Sequence, residues 1–223
     1  MNIKVLYEDK NYILVKKPHG MPSQPDKTGD DDVITLCETE RNIKGISIIN
    51  RLDRPVGGVV LLAKNKNATA EATRLVQENK IKKEYCAVVC GEMKEKEGFF
   101  EDFLLKNGKT NTSSVVKEET KNAKKARLYY KAEKSITDTE KNILTFVKIR
   151  LETGRHHQIR VQFASRGIPL WGDSKYNEEF AKKRGFFKIA LWSEKIEFFD
   201  NLNKKEISAF CEAEGGIFEE FKK

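Results

Sequence analysis

Three short stretches hold side chains whose types and spacing could do chemistry. In the first, Arg51-Leu52-Asp53-Arg54, an aspartate sits between two arginines, ahead of Pro55, the pair Gly57-Gly58 and the apolar run Val59 to Ala63. A carboxylate held this way, just before a rigid buried strand, can stay ionised at the floor of an anion-binding cleft. The same residues also make an ordinary turn, because an aspartate ahead of proline and glycine bonds nearby backbone N–H groups. The second stretch, Lys83-Glu84-Tyr85-Cys86-Ala87, carries a tyrosine that either packs half-buried in a strand or offers a base-stacking face. The third, Thr153-Gly154-Arg155-His156-His157-Gln158-Ile159-Arg160-Val161, gathers two arginines and two histidines beside a turn. The histidines are adjacent, so they point in different directions and cannot form the i, i+4 metal pair of a helix. Arg160 alone reads as a solvent-facing helix residue.

The elements that must position these stretches can be taken in chain order. Residues 3–17 alternate and then turn at Asp9-Lys10-Asn11, which predicts two short antiparallel strands. Pro18 and Gly20 end the second one. The aspartates Asp30 to Asp32 read as a solvated loop and an N-cap for a helix over 33–41. A strand over 58–64 leads to a helix capped by Asn67 and running to about Asn79, with Ala68, Ala72, Leu75 and Val76 as its apolar stripe. Glu84 to Cys90 is a strong strand. Residues 92–142 are lysine-rich and read as weak strands and turns, and 106–125 as a mobile hairpin or a basic RNA-facing flap. A strand over 144–151 precedes a helix over 156–166 closed by Gly167. Two further strands, 189–192 and 195–199, come before a hairpin turn at 200–203. Strands outnumber helices and the joins are short. The fold class expected is therefore α+β: a mixed, largely antiparallel central sheet with flanking helices, in a single domain over 1–223.

Charge and cysteine content bound the function. Lysine plus arginine number 42 against 34 aspartates and glutamates, giving +8 and a pI near 9.1, which favours a polyanionic partner, most simply nucleic acid. Cys37, Cys86, Cys90 and Cys211 form no Cys-x-x-Cys pair, so a zinc ribbon is not expected. The start carries no secretory leader pattern, and no apolar run has the length of a membrane span. A cytoplasmic protein is expected, without a membrane role, without an obligate protein partner, and acting as a monomer.

Taken together, these stretches resemble the RluA-type RNA pseudouridine synthases over nearly the whole chain. Tyr12 to Met21 is similar to that family's opening strand into Lys-Pro-x-Gly. Asn50 to Ala63 resembles its His-Arg-Leu-Asp signature, and Lys83 to Gly91 its Lys-x-Tyr-x-Ala-x-Val-x-Gly strand. Thr153 to Arg160 resembles its Thr-Gly-Arg-Thr-His-Gln-Ile-Arg element. Gly167 to Tyr176 matches its Gly-x-Pro-x-x-Gly-Asp-x-x-Tyr turn. The chain departs from the family at Asn50, where a histidine is usual, at His156 in place of threonine, and at Gln162 in place of histidine. The catalytic pattern begins within the first few residues, so the N-terminal RNA-binding domain of some relatives is not expected.

The resemblance implies a pseudouridine synthase fold and isomerisation of particular uridines in ribosomal or transfer RNA. Asp53 would be the catalytic carboxylate, Tyr85 would stack on the target uracil, and Arg160 would pair with Asp53. Arg51 would fill the gap left by the flipped nucleotide, with Arg54, Arg155 and His157 as further RNA contacts. Nothing is oxidised and no group is transferred in, so neither cofactor nor metal is expected. Two rivals remain: an RNA-binding module that keeps the fold without the chemistry, and a glycoside hydrolase, for which no second carboxylate has comparable support.

Overall fold

The computed structural model describes residues 2–185 and 187–222. In chain order the elements are β1 (Lys4–Glu8), β2 (Tyr12–Lys17), α1 (Val33–Arg41), β3 (Ser47–Ile48), β4 (Gly57–Ala63), α2 (Lys66–Gln77), β5 (Lys82–Cys90) and β6 (Glu97–Asn107). They continue with β7 (Thr112–Val116), β8 (Lys124–Thr137), β9 (Ile143–Leu151), α3 (Gln158–Ala164), α4 (Glu178–Lys182), β10 (Leu191–Asp200), β11 (Lys205–Phe210) and a 3-10 helix, Gly216–Phe221. The chain divides into two compact units, one reaching Glu84 and taking up Trp192–Ala213, the other comprising Tyr85–Leu191 and the residues from Glu214 on. The α+β class and the mixed, mostly antiparallel sheet expected from sequence are what form. No helix among the described residues is long and apolar enough to cross a membrane.

In the first unit β4 is the central strand. It pairs antiparallel with β2 and β3, and parallel with β10 through Trp192 and Ser193 opposite Gly57 and Gly58. Val59, Val60, Leu61 and Leu62 are fully buried. Each such side chain contributes about 1.5–3 kcal/mol relative to leaving it in water. The glycine pair ahead of them is a packing requirement. A Cβ at Gly57 would collide with the buried Trp192 ring, and one at Gly58, whose φ is +120°, would collide with the Ser193 backbone. Trp192 is anchored in turn by its Nε1–H, which donates to the Cys211 carbonyl at 3.0 Å. Helix α1 has the cap expected: Asp32 accepts from the backbone N–H of Ile34 and Thr35. Helix α2 starts earlier than expected, because Asn65, not Asn67, accepts from Ala68 N at 2.9 Å and sets the first turn. The residues 189–192 and 195–199, expected as two strands, belong mostly to the one strand β10, and the hairpin partner after residue 200 is β11.

In the second unit the strand order is β5-β9-β8-β6-β7. The lysine-rich region expected to hold weak strands forms long ones instead. β6 and β8 pair in register from Glu97↔Lys131 to Leu104↔Lys124, and β7 extends β6 from Phe103↔Val116 to Asn107↔Thr112. On β8, Ala126, Leu128 and Tyr130 turn inward while Lys125, Arg127 and Tyr129 turn outward. The lysines lie on the solvent side of an alternating strand, where they dilute its hydrophobic signal without weakening the ladder. Helix α3 begins at Gln158 rather than His156, since His157 has φ +54° and cannot belong to a right-handed helix. Leu104, Ala126 and Val161 pack together, with Tyr176 against them, and so tie β6 and β8 to α3.

Candidate active site

Asp53 lies on the loop that joins β3 to β4, and in its own unit that loop is held from both sides. Its turn closes through Val56 N donating to the Asp53 carbonyl at 2.9 Å. Leu52 N donates to Ser23 Oγ at 3.1 Å while Ser23 Oγ donates back to the Leu52 carbonyl at 2.8 Å. Gly20 N and Lys17 Nζ both donate to the Arg54 carbonyl, and His19 Nδ1 donates to the Pro55 carbonyl at 2.7 Å. Lys17 is fully buried at the end of β2, and its ammonium also reaches the carbonyls of Pro18 (3.1 Å) and Met21 (2.7 Å). One cation therefore fixes three carbonyls around the half-buried Asp53.

Burial pushes Lys17 down to about 7; the neighbouring Asp53 opposes that shift and Arg54 adds to it. The folded value lies below the ordinary lysine range, so between about 7 and that range the unfolded chain binds more protons than the folded one. Stability from this group is therefore complete only on the alkaline side and is lost as pH falls through about 7. Lys17→Met should flatten this pH dependence of the melting temperature. By leaving buried carbonyls unbonded it should also cost roughly 2–4 kcal/mol at neutral pH. Thermal denaturation of both proteins across the pH range checks this.

The flanking arginines differ. Arg51 is exposed, whereas Arg54 is held by the acidic loop. Its Nη1 donates to Thr28 Oγ1 at 2.9 Å and pairs with Asp26, and its Nη2 pairs with Asp30. A phosphate reaching Arg54 would compete with these two carboxylates. Asn50, at the family's histidine position, is a backbone clamp: its Oδ1 accepts from Leu61 N at 2.6 Å and its Nδ2 donates to the Val59 carbonyl.

In the second unit Tyr85 lies on β5 and is only 7% exposed, so it is a core residue as well as a candidate stacking face. Arg160 is not solvent-facing. It is 3% exposed and forks onto the buried Asp173, with Nε to Oδ2 at 2.8 Å and Nη2 to Oδ1 at 2.6 Å. Asp173 also accepts from the backbone N–H groups of Lys175 and Tyr176, and the guanidinium lies 5.1 Å from the Tyr176 ring centre. A buried guanidinium is tolerable only with such a partner. Arg155 is exposed and donates from Nε to the Lys125 carbonyl.

The two histidines do not point apart as adjacent residues ordinarily do. The left-handed backbone at His157 folds its ring onto that of His156, with centres 3.8 Å apart. Tyr176 Oη accepts from Ser113 N at 2.7 Å and shares a hydrogen bond with His157 Nδ1, also 2.7 Å away. Gln162 anchors β6 by donating from Nε2 to Asp102 at 2.6 Å. Sequence reasoning missed Lys17 and Asp173 as functional positions. Lys17 carried a signal, the second of two lysines after the apolar run Tyr12 to Val15 and the one directly before Pro18-His19-Gly20. Asp173 carried its place in the Gly167 to Tyr176 turn motif, which gave it no role.

Solved structures share this fold. The human protein RNA pseudouridylate synthase domain containing 1 superposes with a TM-score of 0.78 over 99% of this chain and 94% of its own, at 18% identity. Human RNA pseudouridylate synthase domain containing 4 gives 0.72 over 94% and 88%, at 20% identity. The pseudouridylate synthase fold is thus the class to which the architecture conforms. Residues 11–165, which include Asp53, Tyr85 and Arg160, match the RNA pseudouridylate synthase family, and the chain belongs to that family, in its RluA-type branch. It is 30% identical to the dual-specificity RNA pseudouridine synthase RluA of Yersinia pestis over 80% of this chain and 84% of that one. It is 32% identical to an RNA pseudouridine synthase of Aquifex aeolicus over 78% of this chain, and 28% identical to YhcT of Bacillus subtilis over 78%. The matched part spans 56% and 57% of those two relatives' own lengths.

Proposed function

We propose that this chain isomerises particular uridines of structured ribosomal or transfer RNA to pseudouridine, acting in the cytoplasm as a monomer without a cofactor. The observation that carries the proposal is the clamped Asp53 loop within a chain of this family: a half-buried carboxylate whose flanking carbonyls are fixed by Lys17, Gly20 and His19. Names among the relatives include ribosomal large subunit pseudouridine synthases and a dual-specificity RNA pseudouridine synthase, which supports ribosomal RNA as one candidate substrate; transfer RNA stands beside it from the motif resemblance.

In the reaction the bond from ribose C1′ to uracil N1 breaks, the base turns, and a bond from C1′ to C5 forms. The C5 proton leaves and N1 gains one, so the product has the composition of the substrate. The target base must first leave its stack, which costs a few kcal/mol. Stacking on Tyr85 offsets about 1–3 kcal/mol of that, and Arg51 takes the vacated place in the RNA. Asp53 either attacks C1′ or removes the C2′ proton to give a glycal, and the motif resemblance makes Arg160 its proposed cationic partner. Only the second route breaks the C2′–H bond, so deuterium at C2′ slows that route alone.

The test is release of tritium from RNA transcribed with 5-tritiated uridine, using the purified chain and separate ribosomal and transfer RNA substrates. Stoichiometric release with pseudouridine at discrete positions is expected. Binding without release from any of these RNAs would leave an RNA-binding module in place of an enzyme.

A further inference from the structure

The acidic loop between β2 and α1 is folded onto one arginine of the candidate active-site loop. Residues 26–32 hold four aspartates against a single lysine. Asp32 caps α1. Asp26 and Asp30 instead meet Arg54, the residue directly after the candidate catalytic carboxylate Asp53. Arg54 Nη1 lies 3.4 Å from Asp26 Oδ2 and donates to Thr28 Oγ1 at 2.9 Å, while Nη2 pairs with Asp30 Oδ2. The Arg54 carbonyl is pinned by Gly20 N and Lys17 Nζ. The side chain therefore reaches out from a fixed backbone, and it stays 40% exposed.

The loop is shaped around that guanidinium. Thr28 N donates to Asp26 Oδ1 at 2.9 Å, and Gly29 N donates to the Asp26 carbonyl at 3.4 Å with Gly29 at φ +74°. The Thr28 hydroxyl lies 2.5 Å from Asp26 Oδ1 and 3.1 Å from Asp30 Oδ2, but it has one hydrogen to give. With that hydrogen on the nearer oxygen, Asp30 takes its side-chain donor from Arg54. Arg54, and after it Thr28, hold the Asp30 carboxyl below the usual range. Two carboxylate oxygens and a hydroxyl oxygen thus surround one guanidinium, as the oxygens of a phosphate group do. Both ion pairs stand in solvent, where such pairs are weak and screened by salt, so a phosphodiester can displace them.

We propose that the 26–32 loop is an autoinhibitory latch. In the free protein Asp26 and Asp30 occupy the anion site of Arg54 as an internal phosphate mimic, and a phosphodiester of the RNA engages Arg54 only by displacing them. The displaced carboxylates then stand beside the bound strand and take up cations. The latch therefore weakens RNA binding and flattens its salt dependence. The inference rests on the RNA isomerase proposal for its ligand and fails separately from it, since binding is measured without turnover.

A fluorescein-labelled RNA stem-loop is titrated by anisotropy at several salt concentrations. The double variant Asp26→Asn, Asp30→Asn alters only exposed side chains and keeps an acceptor for Thr28 N, so its melting temperature should match the wild type. It should bind about threefold to fivefold more tightly, with a salt slope steeper by about one. Asp31→Asn removes a neighbouring exposed charge outside the latch and should tighten binding by less than about 1.5-fold. In an Arg54→Gln background the Asp26, Asp30 pair of substitutions should also gain less than about 1.5-fold, because their partner is gone. Unchanged affinity and salt slope in the double variant would overturn the latch. An equal gain from Asp31→Asn, or in the Arg54→Gln background, would reduce the effect to net charge and overturn it as well. A chain that shows the full gain but releases no tritium keeps the latch and loses the isomerase.

Discussion

Asp53→Ala should lower isomerisation by at least about 10⁴-fold while RNA affinity stays within about threefold. The carboxylate is the group proposed to touch the ribose, and Lys17, whose titration it influences, has its hydrogen bonds committed to the carbonyls of Pro18, Met21 and Arg54. RNA affinity should survive because phosphate attraction comes from lysines and arginines spread over the surface, not from one acid. Asp53→Asn is the sharper variant. It keeps the shape of the side chain and removes its charge, so an equal loss of turnover points to the ionised oxygen and not to loop geometry. Lys17 gives a second readout. Asp53 opposes the shift that burial imposes on it, so removing that anion should move the pH-dependent part of the melting curve toward lower pH. Isomerisation that persists in both variants would place the reacting carboxylate elsewhere. Full binding by the wild-type chain with no isomerisation in any RNA would favour the chemistry-free module.

Local and ordered signals were legible in the sequence, and contacts between distant residues were not. Asp32 as a cap for α1, the turn between β1 and β2, the buried run of β4 and the order of the five motifs all rest on neighbouring residues and came through. In sequence the glycine pair is only part of a turn after Asp53; in the fold it admits Trp192 and Ser193 against β4. The long strands β6 and β8 were hidden because their outward positions are charged. Asn50, His156 and Gln162 stood out in sequence only as departures near the chemistry. Each turns out to bond a scaffold group remote in the chain: Leu61 N, the pair Asn111 and Ser113, and Asp102. Nothing local encodes those partners. The ring stack of His156 on His157 was likewise invisible, because it depends on one left-handed residue.

The largest stability effect should come from the buried pair in the second unit. Asp173→Ala leaves the Arg160 guanidinium without its forked partner at 3% exposure, which should cost roughly 3–5 kcal/mol. For a chain of this size that corresponds to a melting temperature lower by roughly 10 °C. Stability and chemistry can then be separated. The double variant Arg160→Met, Asp173→Leu removes both charges and fills the space with apolar side chains, and exchanges of this kind are often neutral or better. It should recover part of the lost melting temperature, though not all, since the backbone N–H groups of Lys175 and Tyr176 lose their acceptor. Its turnover should nevertheless stay about 10²–10³-fold down, because the cation proposed for the reaction is gone. A stable double variant with near wild-type turnover would confine Arg160 to the role of anchoring Asp173. A stable double variant that binds RNA normally and turns over slowly assigns the guanidinium to the reaction itself.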